Sequence, residues 1–268
     1  MNYRHSFHAG NFADVVKHAL LLWLLDQRQP AGPLTVLDTH AGAGLYDLTG
    51  DAVRSREAEA GVERLMAASR RPPLIEALAA EVAALNGGGE TRLYPGSPLL
   101  VARRLRPSDR YVGFELREEV QTLLVDSLSA NPNAEARLAD GYEAVVTEAR
   151  AARGPVVLID PPFERPDDYI RAADTARDLA RDPTACIAIW TPLKDMETFD
   201  GFIRRLSGLN VVAAEARLRP LTNPMKMNGC AMVFVNPPAG VEAASEQVCG
   251  WVAEALGDGS GRAEVWRP

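Results

Sequence analysis

The sequence has few of the features that mark metal centres, disulfide frameworks and membrane spans. It contains only three cysteines and neither a CxxC pair nor a Cys/His zinc spacing, so we expect no metal and a reducing compartment. The longest strongly apolar run, Ala19–Leu25, is too short to cross a bilayer. The N-terminus lacks the apolar core of a signal peptide. Together these absences predict a cytoplasmic protein without membrane contact.

Cations are also scarce relative to acids. The chain has 29 Lys and Arg against 36 Asp and Glu, a formal net charge of −7. Phosphate contacts require cations, so this balance taken alone argues against a nucleic-acid partner. The cations are unevenly distributed, however, with basic clusters at residues 103–106 and 201–230. The net charge therefore predicts that any RNA contact is confined to one local face, is weak, and weakens further as salt rises.

The rest of the composition is that of an ordinary globular protein. Of the 268 residues, 47% are hydrophobic and 24% are charged, which is enough apolar material for a sizeable core. Helical and strand periodicities alternate, which predicts an α/β fold with a largely parallel sheet. We predict helices at 14–29, 118–130 and 168–179 and strands at 34–37, 111–114, 136–138, 156–159 and 187–190. Pro192 is expected to end the last of these strands, and strands at 211–218 and 231–235 to form an antiparallel end of the sheet.

Residues 51–90 differ in character from their surroundings. They are rich in Ala, Glu and Arg, are divided by Pro72-Pro73 into two predicted helices, and end in three consecutive glycines. No repeat or low-complexity linker separates them from the rest of the chain. We therefore predict a single domain, residues 1–268, with a small inserted helical subdomain at about 46–93.

A glycine-rich turn follows the first predicted strand. It reads Asp38-Thr39-His40-Ala41-Gly42-Ala43-Gly44, and glycines at this place let a ligand approach the backbone at the carboxyl end of a sheet. The third glycine of a dinucleotide fingerprint is absent, which disfavours a dehydrogenase. The looser acidic-x-Gly-x-Gly-x-Gly pattern of class I methyltransferases fits, except that His40 replaces the first glycine. An ordinary tight turn is the alternative interpretation.

Two acidic residues end later strands at the same predicted edge. Ribose hydroxyls are commonly held by a carboxylate about 20 residues past such a turn, and Glu115 ends a suitable strand much further along. The helical insertion accounts for the extra distance. Asp140-Gly141 follows the next strand, where such folds hold the cofactor adenine. The alternatives are a solvated strand-end acid for Glu115 and a plain turn for Asp140-Gly141.

The tetrapeptide Asp160-Pro161-Pro162-Phe163 follows the apolar strand at 156–159. The exocyclic amine of adenine is a poor nucleophile because its lone pair is delocalised into the ring. The Asp160 carboxylate and the Pro161 carbonyl can accept hydrogen bonds from this amine, and the prolines stiffen the loop. Phe163 offers a ring on which an extruded base can stack. The alternative is a proline-stiffened strand exit without chemistry.

The four histidines all lie within the first 40 residues, in and after an opening segment rich in polar, aromatic and glycine residues. Lys17 and His18 interrupt an otherwise apolar helix, and no carboxylate or cysteine spacing there supports a metal. A simple pairing of Asp14 with His18, four residues apart on the helix, is the structural alternative. We expect the opening segment to be ordered and to reach a ligand site.

Taken in order, these residues give a resemblance that covers nearly the whole chain. The motifs that carry it are Tyr3-Arg4-His5-Ser6-Phe7-His8-Ala9-Gly10-Asn11, Lys17-His18, Leu37-Asp38-Thr39-His40-Ala41-Gly42-Ala43-Gly44, Tyr94-Pro95-Gly96-Ser97-Pro98, Glu115, Asp140-Gly141, Ile159-Asp160-Pro161-Pro162 and Asn236-Pro237-Pro238. On these motifs the chain resembles the bacterial 23S rRNA adenine-N6-methyltransferase J family, RlmJ. The resemblance implies a Rossmann-like class I sheet that depends on S-adenosyl-L-methionine and carries the small helical insertion.

The resemblance also implies roles for individual residues. The expected catalytic residues are Asp160, Pro161, Pro162 and Phe163. The expected cofactor contacts are Lys17, His18, His40, Ser97, Glu115, Asp140, Gly141 and Asp160. Tyr3 and His5 are expected to contact the substrate, 23S rRNA that is naked or in an early assembly intermediate, with Lys17 near the same entrance. The enzyme would be a monomer without metal. Phe163 stands where the family commonly has Tyr, so a stacking face is kept and a hydroxyl contact is lost.

Two other functions stay open at this point. One is methylation of a different amine, such as a protein glutamine amide, although those enzymes typically carry Asn rather than Asp before the two prolines. The other is a non-catalytic RNA-binding or assembly protein that has kept the fold. Whether labelled methyl groups enter RNA or protein distinguishes RNA methylation from the first alternative. Failure to bind S-adenosyl-L-methionine would favour the second.

Overall fold

In the computed structural model of the chain, residues 9–49, 57–165, 167–222 and 227–268 are described. Strands are β1 Thr35–Asp38, β2 Leu45–Asp47, β3 Leu93–Pro95, β4 Arg110–Glu115, β5 Ala134–Leu138, β6 Val156–Ile159, β7 Cys186–Leu193, β8 Val211–Arg217, β9 Gly229–Val235 and β10 Arg262–Trp266. Helices are α1 Phe12–Arg28, α2 Arg64–Ala67, α3 Pro73–Leu85, α4 Ser97–Arg104, α5 Glu118–Leu128, α6 Gly141–Ala149, α7 Asp167–Leu179, α8 Met196–Arg205 and α9 Val241–Ala255.

Eight of the strands form one sheet in the order β10-β8-β9-β7-β6-β1-β4-β5. The five strands from β7 to β5 are parallel, β9 is antiparallel to both β7 and β8, and β10 is antiparallel to β8. This arrangement confirms the predicted α/β fold and its antiparallel end. The strand order reverses at β1, which lies between β4 and β6, and ligands of such sheets bind beyond the carboxyl ends of the strands at this point.

Alternate residues of the central strands face two separate apolar cores. Val156 and Leu158 of β6 lie in one buried cluster, and Val157 and Ile159 lie in the other. A strand that is buried on both faces has a continuous apolar sequence rather than an alternating one. The cores hold the sheet rigid, so the loops at its carboxyl edge start from fixed positions.

Helix α1 is buried on all sides over Phe12–Leu25. It begins at Asn11, whose side chain accepts hydrogen bonds from the backbone N–H groups of Ala13 and Asp14, as expected for an N-cap residue. The helix therefore starts two residues earlier than its periodicity predicts. Because the helix is enclosed over this range, its three polar residues there, Asp14, Lys17 and His18, face protein groups instead of solvent.

The chain between β2 and β3 contains α2 and α3 and packs against α1. β2 and β3 pair with each other as a separate two-stranded ladder. A Cβ atom at Gly61 would lie 2.1 Å from the Gly10 carbonyl oxygen, so only glycine allows this approach to the start of α1. The division of residues 1–268 into one domain with a subdomain at 46–93 stays a prediction.

Strand β7 extends beyond its predicted end. Pro192 lies inside the strand, in register with Cys230 of β9, and does not end it. The ladder with β6 stops at Ile189, so the last residues of β7 have a strand neighbour on one side only. Proline is tolerated in such an edge position because no second ladder needs its missing N–H.

Within the described ranges, no helix is long and apolar enough to span a membrane. Cys186, Cys230 and Cys249 are all buried and none forms a disulfide.

Candidate active site at the carboxyl edge of the sheet

The predicted site residues meet at one edge of the sheet. Four adjacent parallel strands, β5, β4, β1 and β6, are followed by or end in Asp140, Glu115, Asp38 and Asp160, respectively. Carboxyl ends of parallel strands lie side by side, so residues far apart in sequence form a continuous row of acids along this edge. Tyr3 and His5, the predicted RNA contacts, lie outside the described residues.

Asp38 is the buried centre of a hydrogen-bond network. Ser97 Oγ donates to Asp38 Oδ2 at 2.7 Å, the Tyr111 hydroxyl donates to the same oxygen at 3.3 Å, and the His40 N–H donates to Oδ1 at 3.2 Å. Burial raises the pKa of Asp38 to about 6, partly offset by the Ser97 hydrogen bond. Ser97, a predicted cofactor contact, therefore fixes the strand end from which the glycine turn departs.

The glycine turn adopts a conformation that favours glycine. Gly42 and Gly44 have φ angles of +67° and +78°. The Gly42 N–H donates to Glu115 Oε2 at 3.3 Å, and the Arg117 N–H donates to Glu115 Oε1 at 3.0 Å. Glu115 is thus held beside the turn, as the argument from ribose recognition requires.

Asp140 caps the start of α6, where its Oδ1 accepts from the Tyr142 N–H at 3.0 Å. Its Oδ2 accepts from Arg171 Nη2 at 2.8 Å. A Cβ atom at Gly141 would lie 1.8 Å from the Thr39 carbonyl oxygen, so α6 packs directly onto the glycine turn. The Asp140-Gly141 corner is therefore fixed relative to β1.

His40 lies between the turn and α6. Its Nδ1 is 2.7 Å from Thr39 Oγ1, and its ring contacts the Tyr142 ring edge-on at a centroid distance of 4.7 Å. Burial lowers the pKa of His40 to about 4, so the ring is neutral at pH 7. A neutral imidazole at this place can serve a ligand as a donor or an acceptor.

His18 is only 1% exposed. Its Nδ1 is hydrogen-bonded to the Tyr94 hydroxyl at 2.8 Å, and the two rings stack at 5.5 Å. The contact links α1 to β3, just before Ser97. The direct cofactor contact of His18 stays a prediction.

Asp160 is joined to α1 by a buried ion pair. Lys17 Nζ lies 2.6 Å from Asp160 Oδ2 and 2.8 Å from Asp14 Oδ1, while Asp14 Oδ2 accepts from the Gly10 N–H. Burial by itself would lower the pKa of Lys17, but the two carboxylates raise it well above its usual value, so the ammonium stays charged. The structure thus places Lys17 between Asp14 and Asp160, the aspartate for which a catalytic role is predicted.

The loop after Asp160 is strained at Phe163, which has a φ of +49°. Its ring is 2% exposed and packs against Tyr169 at 4.5 Å and Trp190 at 5.9 Å between centroids. Pro161 is buried and Pro162 is exposed. The predicted stacking face is therefore covered by aromatic neighbours, and stacking on a base requires these rings to separate.

The arrangement fits the cofactor that the resemblance implies. S-adenosyl-L-methionine presents ribose hydroxyls, an adenine and a charged sulfonium. The edge of the sheet offers a row of carboxylates for these polar groups and a glycine turn that lets a ligand approach the backbone closely. The described residues contain no group of three or more His, Cys, Asp or Glu placed to hold a metal ion.

Several neighbours of the site were given no role in it by the sequence. Asp14, Tyr94, Tyr111, Tyr142 and Arg171 contact Lys17, His18, Asp38, His40 and Asp140, respectively. Of these contacts, only that of Asp14 joins residues close in sequence. The other four residues reach their partners from distant elements.

Comparison with known proteins agrees with this architecture. The family model described as "Ribosomal RNA large subunit methyltransferase D, RlmJ" matches residues 31–267. Two relatives named "Ribosomal RNA large subunit methyltransferase J" are each 31% identical. The Escherichia coli K12 protein aligns over 99% of this chain and 98% of its own length, and the Haemophilus influenzae protein over 96% and 94%.

A solved structure has the same fold over almost the whole length. It is a protein from Legionella pneumophila that superposes with a TM-score of 0.86 at 26% identity and covers 97% of this chain and 98% of its own. The sheet order, the glycine turn, the row of acids and the near full-length matches lead to one conclusion. The chain belongs to the RlmJ family of ribosomal RNA large subunit methyltransferases, which use S-adenosyl-L-methionine as methyl donor.

Proposed function

We propose that the chain transfers a methyl group from S-adenosyl-L-methionine to N6 of one specific adenine in 23S rRNA, without a metal. The observation that carries the proposal is the position of Asp160-Pro161 next to the glycine turn, with Asp160 held by the buried Lys17. The relatives' names specify ribosomal RNA of the large subunit as their substrate. The choice of adenine N6 rests on the acceptor chemistry of the Asp-Pro-Pro loop.

In this proposal the cofactor lies along the row of acids. Glu115 would accept hydrogen bonds from the ribose hydroxyls, the Asp140-Gly141 corner would hold the adenine, and the glycine turn would hold the methionine part. His40 contributes a neutral polar group, while Ser97 keeps Asp38 in place. When bound, the cofactor supplies a methyl group that its sulfonium activates, so the protein needs only to position the acceptor.

Asp160 positions and activates the amine. Lys17 occupies Asp160 Oδ2, so Oδ1 is the oxygen that accepts a hydrogen bond from the adenine N6–H. The Pro161 carbonyl accepts from the second N6–H, which draws the nitrogen lone pair out of conjugation. N6 would take the methyl group that the bound cofactor supplies, and Asp160 would accept the proton that N6 loses. Alignment of the amine with the methyl group supplies most of the acceleration.

The adenine must leave its RNA helix to reach this loop. Phe163 is the proposed stacking partner, and in the described conformation Tyr169 and Trp190 cover its ring. Base entry therefore requires the loop to open, and the strained backbone of Phe163 lowers the cost of leaving its present position. Tyr3 and His5 are the proposed RNA contacts at the entrance. The proposed enzyme acts as a cytoplasmic monomer on naked rRNA or an early assembly intermediate.

The decisive variant is Asp160→Ala. We expect it to abolish methyl transfer to unmodified 23S rRNA while the protein stays folded, because Lys17 keeps Asp14 as a partner. The matched control is Asp167→Ala, an exposed acid paired with Arg165 near the same loop, which we expect to be fully active. The measurement is incorporation of radiolabelled methyl groups, with thermal unfolding as the check on folding.

The destination of the label separates the remaining alternative. Label that enters RNA and is recovered as N6-methyladenosine supports the proposal. Label that enters protein would point to an amide acceptor, and full activity of Asp160→Ala would remove Asp160 from the mechanism.

A further inference from the structure

Arg171 lies where the two halves of the site meet. It belongs to α7, the helix that follows the Asp160–Phe163 loop, and its Nη2 donates to Asp140 Oδ2 at 2.8 Å. The same guanidinium lies over the Tyr142 ring, 4.3 Å from its centroid. A charge-assisted hydrogen bond and a cation–π contact together restrict the side chain to one orientation.

A second residue of α7 holds the same tyrosine. The Tyr142 hydroxyl donates to Asp168 Oδ1 at 3.3 Å, and Asp168 Oδ2 accepts from the Arg165 N–H. Asp168 and Arg171 are three residues apart and lie on one face of the helix. Asp168 and Arg171, which share one face of α7, therefore contact Tyr142 at its hydroxyl and at its ring face, respectively.

Tyr142 also contacts the glycine turn. The His40 ring meets the Tyr142 ring edge-on at a centroid distance of 4.7 Å. His40 is in turn bonded to Thr39, and Thr39 packs against Gly141. A continuous series of packed groups thus runs from the helix behind the catalytic loop to both sides of the proposed adenine subsite.

Arg171 also sets the charge of that subsite. Burial by itself would raise the pKa of Asp140, but the hydrogen bond and positive charge of Arg171 hold it below its usual value. Each carboxylate oxygen has two acceptor positions, so Asp140 can bind Arg171 and still accept from a ligand. Without Arg171, the Asp140 carboxylate would lose the hydrogen bond that orients it and the positive charge that balances its own.

We propose that Arg171 is a positioning residue that holds Asp140 and Tyr142 in the geometry for cofactor binding and thereby couples the cofactor subsite to the catalytic loop. The inference rests on the proposed placement of the cofactor adenine at Asp140-Gly141. Arg171 acts through Asp140 and Tyr142 and makes no contact with reacting atoms.

The test measures S-adenosyl-L-methionine binding by calorimetry without RNA. We expect Arg171→Gln to weaken binding by about tenfold or more, as for loss of a charged hydrogen bond. Arg171→Lys keeps the charge and loses the planar fork and its stacking, so it should restore binding only in part. The control is Arg165→Gln, an exposed arginine paired with Asp167, which should bind like the wild type.

A double-mutant comparison with Asp140→Asn isolates the coupling. If Arg171 acts through Asp140, the affinity of the double variant for S-adenosyl-L-methionine should lie within about twofold of the affinity of Asp140→Asn alone. In rRNA methylation, Arg171→Gln should raise KM for the cofactor and leave KM for RNA unchanged, a split that a general loss of stability would not produce.

Three results would overturn the inference. They are unchanged cofactor affinity in Arg171→Gln, fully additive effects of the two substitutions, and a loss of affinity that merely follows a loss of thermal stability. Absence of binding by the wild type would overturn the proposed function itself, whereas normal binding by both wild type and Arg171→Gln would overturn only the role of Arg171.

Discussion

Two neighbouring aspartates of the site are held in different ways. Asp160 is paired with the buried ammonium of Lys17, while Asp38 is bonded to the neutral donors Ser97 and Tyr111. A carboxylate that is oriented by an ion partner can also accept a hydrogen bond from a substrate amine. A carboxylate among neutral donors is costly to ionise when buried, which suits a structural role at the end of β1.

The pKa shifts of Asp38 and His40 predict opposing pH dependences of stability. The pKa of Asp38 is raised to about 6, so the folded state binds more protons than the unfolded state between about pH 4 and 6, and this contribution falls as pH rises. The pKa of His40 is lowered to about 4, so its contribution rises with pH between about 4 and 6.5. The two effects partly cancel in the wild type.

Substitution of either Asp38 or His40 should expose the pH dependence of stability that the other residue contributes. Asp38→Asn should steepen the gain of stability with rising pH, changing the difference between pH 4 and 6 by about 2–3 kcal/mol relative to the wild type. His40→Gln should change the slope in the opposite direction. Urea unfolding at several pH values measures both, and identical slopes in all three proteins would show that neither shift exists.

Lys17 should be essential for stability as well as for the site. Lys17→Met leaves the Asp14 and Asp160 carboxylates facing each other in the core, and breaking a buried ion pair in this way costs about 3–5 kcal/mol. Chemical denaturation gives the value directly. Lys194→Met, at an exposed lysine, is the control and should change stability by less than about 0.5 kcal/mol. A loss below about 1 kcal/mol in Lys17→Met would contradict the buried pair.

Sequence reasoning found the residues that follow strands and missed those that reach the site from elsewhere. Asp160 and Glu115 could be located because each directly follows or ends an apolar strand of predictable direction. Arg171 could not, because its partner Asp140 lies on a different element and an arginine on an amphipathic helix looks like any solvated residue. The burial of Phe163 was equally invisible, since Trp190 reaches it from the next strand.

Elements were predicted well where a short continuous apolar run marks a strand that is buried on both faces. The limits of β6 match the prediction, and α6 was not predicted as a separate helix although its N-cap, Asp140, was singled out. The error at Pro192 arose because local propensity cannot show that β6 stops short of it. Which strands are neighbours, and where a ladder ends, depends on contacts distant in sequence.

Because α6 packs closely on the glycine turn, a single methyl group added at Gly141 should disturb both the fold and cofactor binding. Gly141→Ala places a Cβ atom 1.8 Å from the Thr39 carbonyl oxygen, so α6 must shift away from β1. We expect a stability loss of about 1–3 kcal/mol from overpacking and at least a tenfold loss of S-adenosyl-L-methionine affinity.

The matched control is Gly201→Ala in the exposed part of α8. A Cβ atom there meets nothing within 4 Å, so alanine should raise stability by up to about 1 kcal/mol through helix propensity. Thermal unfolding and calorimetric binding compare the two variants. Equal behaviour of the two alanines would refute the close approach at Gly141.

Across the molecule, the basic cluster at residues 103–106 is largely neutralised by neighbouring acids. Arg103 and Arg104 both pair with Glu81 from a distant segment, and Arg106 pairs with the nearby Asp109. Sequence proximity of cations does not make a phosphate-binding patch when the fold supplies counter-charges. We therefore expect RNA contact to involve cations at the carboxyl edge, where the candidate site lies.

Lys194 and Arg204 lie toward opposite edges of the sheet. Lys194 follows β7 at the carboxyl edge and is exposed, donating to the Phe163 carbonyl at 3.3 Å. Arg204 lies at the end of α8, which returns to the opposite edge before the parallel strand β8 begins.

Lys194→Gln should raise KM for rRNA severalfold and reduce the slope of log affinity against log salt by about one. Arg204→Gln should do neither. Methylation and filter-binding measurements between low and moderate salt decide, and equal effects of the two variants would place the RNA elsewhere.

N6-methylation of one adenine in 23S rRNA can be tested by mapping N6-methyladenine in rRNA from cells with and without the gene, complemented by wild type or Asp160→Ala. We expect a single 23S position that is modified with the wild-type gene, unmodified in its absence, and not restored by Asp160→Ala. An unchanged methylation map in cells lacking the gene, or full restoration by Asp160→Ala, would contradict it.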